Sequence, residues 1–141
     1  MDDQARGIGL DLAMTDDSQG TAKPPVIAVV DDDPAVCSSL KFALELEGFA
    51  VCIYHGGAEL LQAGDLEDFD CFVVDQRMPG MTGMELVEML RGRRVLTPVI
   101  LIISHPNAAL SARAQKAAIP IVEKPLLGNA LVERIREACL A

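Results

Sequence analysis

Five short apolar runs recur along this chain, each parted from the next by a stretch whose apolar residues return at helical spacing. The runs are VIAVVD at 26–31, FAVCIYH at 49–55, DFDCFVVD at 68–75, TPVILIIS at 97–104 and IPIVE at 119–123. They are rich in β-branched residues and mostly continuous rather than alternating, the pattern of strands covered on both faces. Strands separated by roughly 15–20 residues of helical pattern imply right-handed crossovers and a parallel sheet. The expected fold class is therefore α/β: a doubly wound, five-stranded parallel sheet with five helices. Half the residues are apolar and only 4% aromatic, so its core should be aliphatic.

Local signals place the helices. Asp33 is a candidate N-cap with Pro34 at the first helical position. Val36, Leu40, Ala43, Leu44 and Leu46 then form the expected buried stripe, up to a stop at Gly48. GGAELLQAG reads as a short helix. Thr82 is placed to cap MELVEMLRG, which should bury Met84, Leu86, Val87 and Leu90. NAALSARAQKAA and LGNALVERIREACL complete the set, the last with a stripe of Leu131, Ile135 and Leu140. Residues 1–25, with Asp2, Asp3, Asp11, Asp16 and Asp17 among Gly, Ser and Thr, read as a disordered acidic tail. The folded domain is assigned to 26–141.

The net charge of −9 excludes whole classes of partner. No basic cluster exists beyond Arg91, Arg93 and Arg94, so neither phosphate backbones nor an anionic membrane surface should attract the chain. The acidic start lacks the layout of a signal peptide, and no apolar run approaches a membrane span. Cys37, Cys52, Cys71 and Cys139 lie far apart without CxxC spacing, which fits a reduced, cytoplasmic setting.

The chemistry lies at the carboxyl ends of the runs. Asp31 and Asp32 close the first, Asp75 the third, Ser104 the fourth, and Lys124 follows the fifth. In open α/β sheets that edge is where ligands bind. Three carboxylates gathered there repel one another unless a cation joins them, and their hard oxygens suit Mg²⁺. Asp75, entering the Pro- and Gly-rich loop QRMPGMTG, is the candidate nucleophile. Lys124 can pair with a phosphoryl oxygen and Ser104 can donate a hydrogen bond to another. Together these groups describe phosphoryl transfer to a carboxylate. Asp33 is left to cap its helix. His55 and His105 have no ligand-like partners in sequence, and Met81, Met84 and Met89 are assigned to helix packing.

At these residues the chain resembles the response-regulator receiver domain of two-component signalling. VVDDDP looks like the family's acidic pair, VVDQRMPGMTG like its phosphoacceptor motif, Ser104 stands at its switch hydroxyl, and EKP carries its lysine. The likeness runs from about Val26 to Leu140. It implies a flavodoxin-like sheet of strand order 2-1-3-4-5. It also implies that Asp75 accepts a phosphoryl group from a histidine kinase or phosphotransfer protein. Mg²⁺ would be held by Asp31, Asp32, Asp75 and the backbone carbonyl of Arg77. Ser104 and Lys124 would contact the phosphoryl group, and movement of Ser104 would spread to the face of helix four, strand five and helix five. Such a domain turns over no substrate beyond its own phosphoryl group. With the last helix ending near Leu140, a stand-alone receiver acting on a downstream protein target is expected. The apolar stripe of helix five has two readings, self-association as a homodimer (through that face or through helices one and five) and packing on the domain's own core.

Several residues depart from the family. Ile121 occupies the position of a switch aromatic, His105 and Pro106 follow the switch hydroxyl, and the Ser104–Lys124 segment is about two residues short, so helix four should be short or displaced. Arg77 could reach over the phosphoryl group. Two rival readings compete. A phosphatase resembling the haloacid dehalogenase superfamily would use Asp31 as nucleophile and Asp33 as acid. A receiver-like binding module would work without phosphorylation.

Overall fold

The computed structural model describes residues 23–126 and 128–140. Strands β1 (Val26–Val30), β2 (Ala50–Tyr54), β3 (Cys71–Asp75), β4 (Val99–Ile103) and β5 (Ile121–Glu123) form one sheet. Between and after them run helices α1 (Pro34–Leu46), α2 (Gly57–Gln62), α3 (Gly83–Gly92), α4 (Ala108–Lys116) and α5 (Ala130–Leu140). All four strand pairings are parallel and the order is β2-β1-β3-β4-β5, the flavodoxin-like order the resemblance implies.

The continuous apolar runs are explained by how each strand divides its side chains. Successive residues of a strand point to opposite faces. Ala28, Val30, Phe72, Val74, Leu101 and Ile103 pack on one side with Leu60, Leu86, Val87, Leu90 and Leu110 of α2, α3 and α4. Ile27, Val29, Val73, Ile100 and Ile102 pack on the other with Leu40 and Leu44 of α1 and Leu131 and Ile135 of α5. Each fully buried aliphatic side chain contributes about 1.5–3 kcal/mol. Neither face of the sheet is left to water, so no strand of the central three can alternate in polarity.

The helix signals act locally as expected. The Asp33 carboxylate accepts from the Ala35 and Val36 N–H groups at 2.9 and 3.5 Å, with Pro34 opening α1. Gly48, at φ +97°, takes the left-handed conformation past the end of that helix. Thr82 caps α3 and forms a reciprocal capping box with Glu85. Met84, Leu86, Val87 and Leu90 are all buried.

Three packing expectations are corrected. In α1 the buried stripe is Cys37, Leu40 and Leu44, while Ala43 is exposed and Leu46 is 73% exposed. Leu46 lies two residues beyond Leu44, about 200° around the helix, and so faces away. In α5 the stripe runs from Leu131 and Ile135 on to half-buried Ala138 and Cys139, and Leu140 is exposed. Met89 is exposed at 42% while Met84 is buried. A 3₁₀ turn at Leu66–Asp68, which the apolar pattern does not announce, tucks Leu66 into the core before β3. Helix α4 runs for nine residues. The expectation of a disordered tail falls almost wholly outside the described residues. Among those described, no helix is long and apolar enough to cross a membrane.

Candidate functional site

The carboxyl ends of β1, β3, β4 and β5 bring together Asp31, Asp32, Asp75, Ser104 and Lys124. They line one recess of about 510 Å³ with Asp33, Arg77, Met78 and Pro79. Asp75 is the last residue of β3 and is 5% exposed, while Asp31 is 2% exposed and Asp32 faces solvent. Main-chain bonds fix the positions: Asp31 N–H donates to Tyr54 C=O at 3.0 Å, and Lys124 N–H to Ile103 C=O at 2.8 Å. The Lys124–Pro125 peptide is cis.

The loop after Asp75 is clipped at its base. Gln76 N–H donates to Ile102 C=O at 2.8 Å, and Gly83 N–H to Gln76 C=O at 3.0 Å. The Gln76 side-chain oxygen accepts from Met84 N–H at 2.8 Å. Residues 77–82 are thereby pinched between β3 and α3, with Gly80 turning at φ +82°. Gly83 permits the close approach, since a Cβ there would lie 2.7 Å from the Asp75 carbonyl oxygen. The role of Gln76 had no signal in sequence, because a Gln after an Asp has no fixed function. The Glu85 half of the capping box did have one, the T-x-x-E spacing.

Electrostatics set the character of the recess. Lys124 Nζ lies 3.4 Å from Asp75 Oδ1 and 3.8 Å from Asp31 Oδ2. Lys124 and Arg77 line the recess with the carboxylates of Asp31, Asp32, Asp33 and Asp75, so the negative charge is not balanced. Burial pushes the Asp75 carboxyl above the usual carboxylate range, the Asp31 carboxylate adds to the rise, and Lys124 opposes it. Asp31 Oδ1 accepts from Asp33 N–H at 2.9 Å, but Asp31 Oδ2 is buried with no hydrogen-bond partner. An orphaned carboxylate oxygen inside a protein costs energy unless a cation meets it. Oxygens of Asp31, Asp32 and Asp75 lie within 4.8 Å of one another, which fits a hard divalent ion. Asp33 also lines the recess, with its Oδ1 capping α1.

Arg77 and His105, which the sequence singled out separately, meet in the fold. Arg77 Nη2 donates to His105 Nδ1 at 3.3 Å, which holds the guanidinium toward the β4–α4 side of the recess. Ile121 is half-buried and packs against the core beneath α3 and α4.

A parallel sheet of order 2-1-3-4-5 with an acid-and-lysine recess at its carboxyl edge defines a flavodoxin-like domain built around a charged strand-end site. The sequence matches the response regulator receiver domain over residues 27–136, and the chain belongs to that family. It is 39% identical over 111 residues to the transcriptional regulatory protein FixJ of Azorhizobium caulinodans, covering 78% of this chain and 53% of that one. It is 34% identical over 110 residues to the C4-dicarboxylate transport transcriptional regulatory protein DctR of Rhodobacter capsulatus, covering 76% and 56%. The chain thus spans about half the length of these relatives. Among solved structures, the crystal structure of FixJ-N superposes with a TM-score of 0.75 at 31% identity, covering 84% of this chain and 96% of that one.

Proposed function

We propose that this receiver accepts a phosphoryl group on Asp75 from a histidine kinase or a phosphotransfer protein. The observation that carries the reading is the buried Asp75 carboxylate, 3.4 Å from Lys124 and grouped with Asp31 and Asp32. An Asp75 oxygen attacks phosphorus, the phosphorus–nitrogen bond of the donor phosphohistidine breaks, and the leaving imidazole takes a proton. The product is an acyl phosphate. Lys124 pairs with a phosphoryl oxygen and Ser104 donates a hydrogen bond to another. Asp31, Asp32, Asp75 and the Arg77 carbonyl would hold Mg²⁺, which when bound offsets charge on the phosphoryl oxygens. Asp31 Oδ2, which has no hydrogen-bond partner and only the Lys124 ammonium 3.8 Å away, is the donor best explained by such an ion.

The domain does no further chemistry and signals by contact with a downstream protein. The reading places it in the cytoplasm, where its donor would be. A haloacid dehalogenase mechanism needs Asp33 free as an acid, and that carboxylate already caps α1. Incubation with acetyl phosphate and Mg²⁺, followed by intact mass, tests the proposal. The wild type should gain one phosphoryl group, and Asp75→Asn should gain none. Label on Asp31 would point to the phosphatase reading, and no label at all to a module that works without phosphorylation.

A further inference from the structure

Between the β3–α3 loop and the start of α4 lies a second recess, of about 380 Å³, which shares only Arg77 and Ser104 with the acidic one. No Asp or Glu is among its lining residues, in a chain whose net charge is −9. Its polar lining has an unusual balance of donors and acceptors. Gln76 Oε1 is taken by Met84 N–H at 2.8 Å, Asn107 Oδ1 by Leu110 N–H at 2.9 Å, and Thr82 Oγ1 by Glu85 N–H at 3.1 Å. Each of these side chains is left with an N–H or O–H to give. His105 Nδ1 accepts from Arg77, so the neutral ring presents its other nitrogen as a donor. Arg77 and Arg113 contribute only donors.

The starts of α3 and α4 thus engage the acceptors of Gln76, Thr82 and Asn107 and leave a donor-rich recess with two guanidinium groups. Among the described residues Arg77 has no carboxylate partner. Arg113 meets one, Glu88 at 2.8 Å, with both side chains about half exposed. An exposed pair of that kind is weak and readily exchanged. The recess volume lies in the range of small-molecule sites. We propose that it binds a small organic dianion, with Arg77 and Arg113 each gripping one anionic group through the planar fork that suits carboxylate. The site shares Arg77 and Ser104 with the acidic recess but none of its carboxylates, and does not depend on phosphorylation of Asp75.

Calorimetric titration of the full chain with succinate, without Mg²⁺ and with sulfate as the comparison, tests this. Saturable succinate binding with a Kd of about a millimolar or tighter is expected, and tighter than sulfate, which offers one anionic group rather than two. Arg113→Ala should weaken succinate at least about tenfold, the size of one lost charge-assisted bond. Glu88→Gln should strengthen it severalfold by releasing Arg113, a gain that misfolding cannot produce. Asp75→Asn should leave it unchanged. No saturable binding, sulfate binding as tightly as succinate, or loss in Asp75→Asn with Arg113→Ala unaffected would each overturn the proposal.

Discussion

Gly83→Ala should destabilise the domain by about 2 kcal/mol, although alanine is the better helix former. Gly83 opens α3 directly against the end of β3. A Cβ there would come within 2.7 Å of both the Asp75 carbonyl oxygen and Leu101 Cδ1, and 3.0 Å from Gln76 Cα. None of these can step aside cheaply: two belong to the backbone at the end of β3, and Leu101 is fully buried. Overpacking of this kind costs about 1–3 kcal/mol, against a gain of at most about 1 kcal/mol from replacing helical glycine. Gly92, at the other end of the same helix, would place its Cβ within 4 Å of nothing. Gly92→Ala should therefore stabilise by about 0.5 kcal/mol. Urea unfolding of the two variants, with midpoints compared at a common slope, measures both signs. Gly83→Ala should also lower Tm by about 8 °C, taking roughly 4 °C per kcal/mol for a domain of this size. If Gly83→Ala lies within about 0.5 kcal/mol of wild type, the close packing of α3 on the acceptor strand is wrong.

Three further outcomes are expected. Because the fold raises the Asp75 pKa, the folded chain keeps a proton that the unfolded chain releases near pH 3.9, so without divalent cations stability falls as pH rises from there through the raised value. Asp75→Asn should flatten that pH dependence and be the more stable protein at neutral pH, an advantage Mg²⁺ should shrink; denaturation curves at several pH values, with and without Mg²⁺, read both effects. Thr82→Ala removes one half of the α3 capping box and should cost about 1 kcal/mol in the same assay, with Glu85→Ala costing no more. Ile135→Ala, at a fully buried site in the core between the sheet and α1 and α5, should cost about 3 kcal/mol by urea titration, and a cost below about 1 kcal/mol would mean that α5 does not seal that face.

Much of this architecture is legible in the residues because its signals are local. A β-branched run, an Asp-Pro start and a Thr at the right offset each act within a few residues, so strands and helix starts can be read before any tertiary contact is known. The site residues are legible for a related reason. Asp31, Asp75, Ser104 and Lys124 each end or follow an apolar run, and in a parallel sheet all such ends share one edge. Rotation of the helices was less legible: Leu46 and Leu140 continue an apolar pattern, yet α1 and α5 turn them to solvent. A helix buries whichever arc faces the sheet, and that arc depends on how the whole helix docks.

The sequence by itself determined the class of fold, the family, and which side chains could meet at the carboxyl edge. Tertiary structure decided how closely they meet and with what consequence. The register of β3 between β1 and β4 sets Asp75 beside Asp31 and within 3.4 Å of Lys124, leaves Asp31 Oδ2 without a hydrogen-bond partner, and raises the Asp75 pKa. The same packing joins Arg77 to His105, 28 positions away, and commits the acceptors of Gln76, Thr82 and Asn107 to helix starts. Local patterning works through energies contained within one segment. Charge balance and donor supply depend on ångström separations between segments, which exist only once the sheet has closed its register.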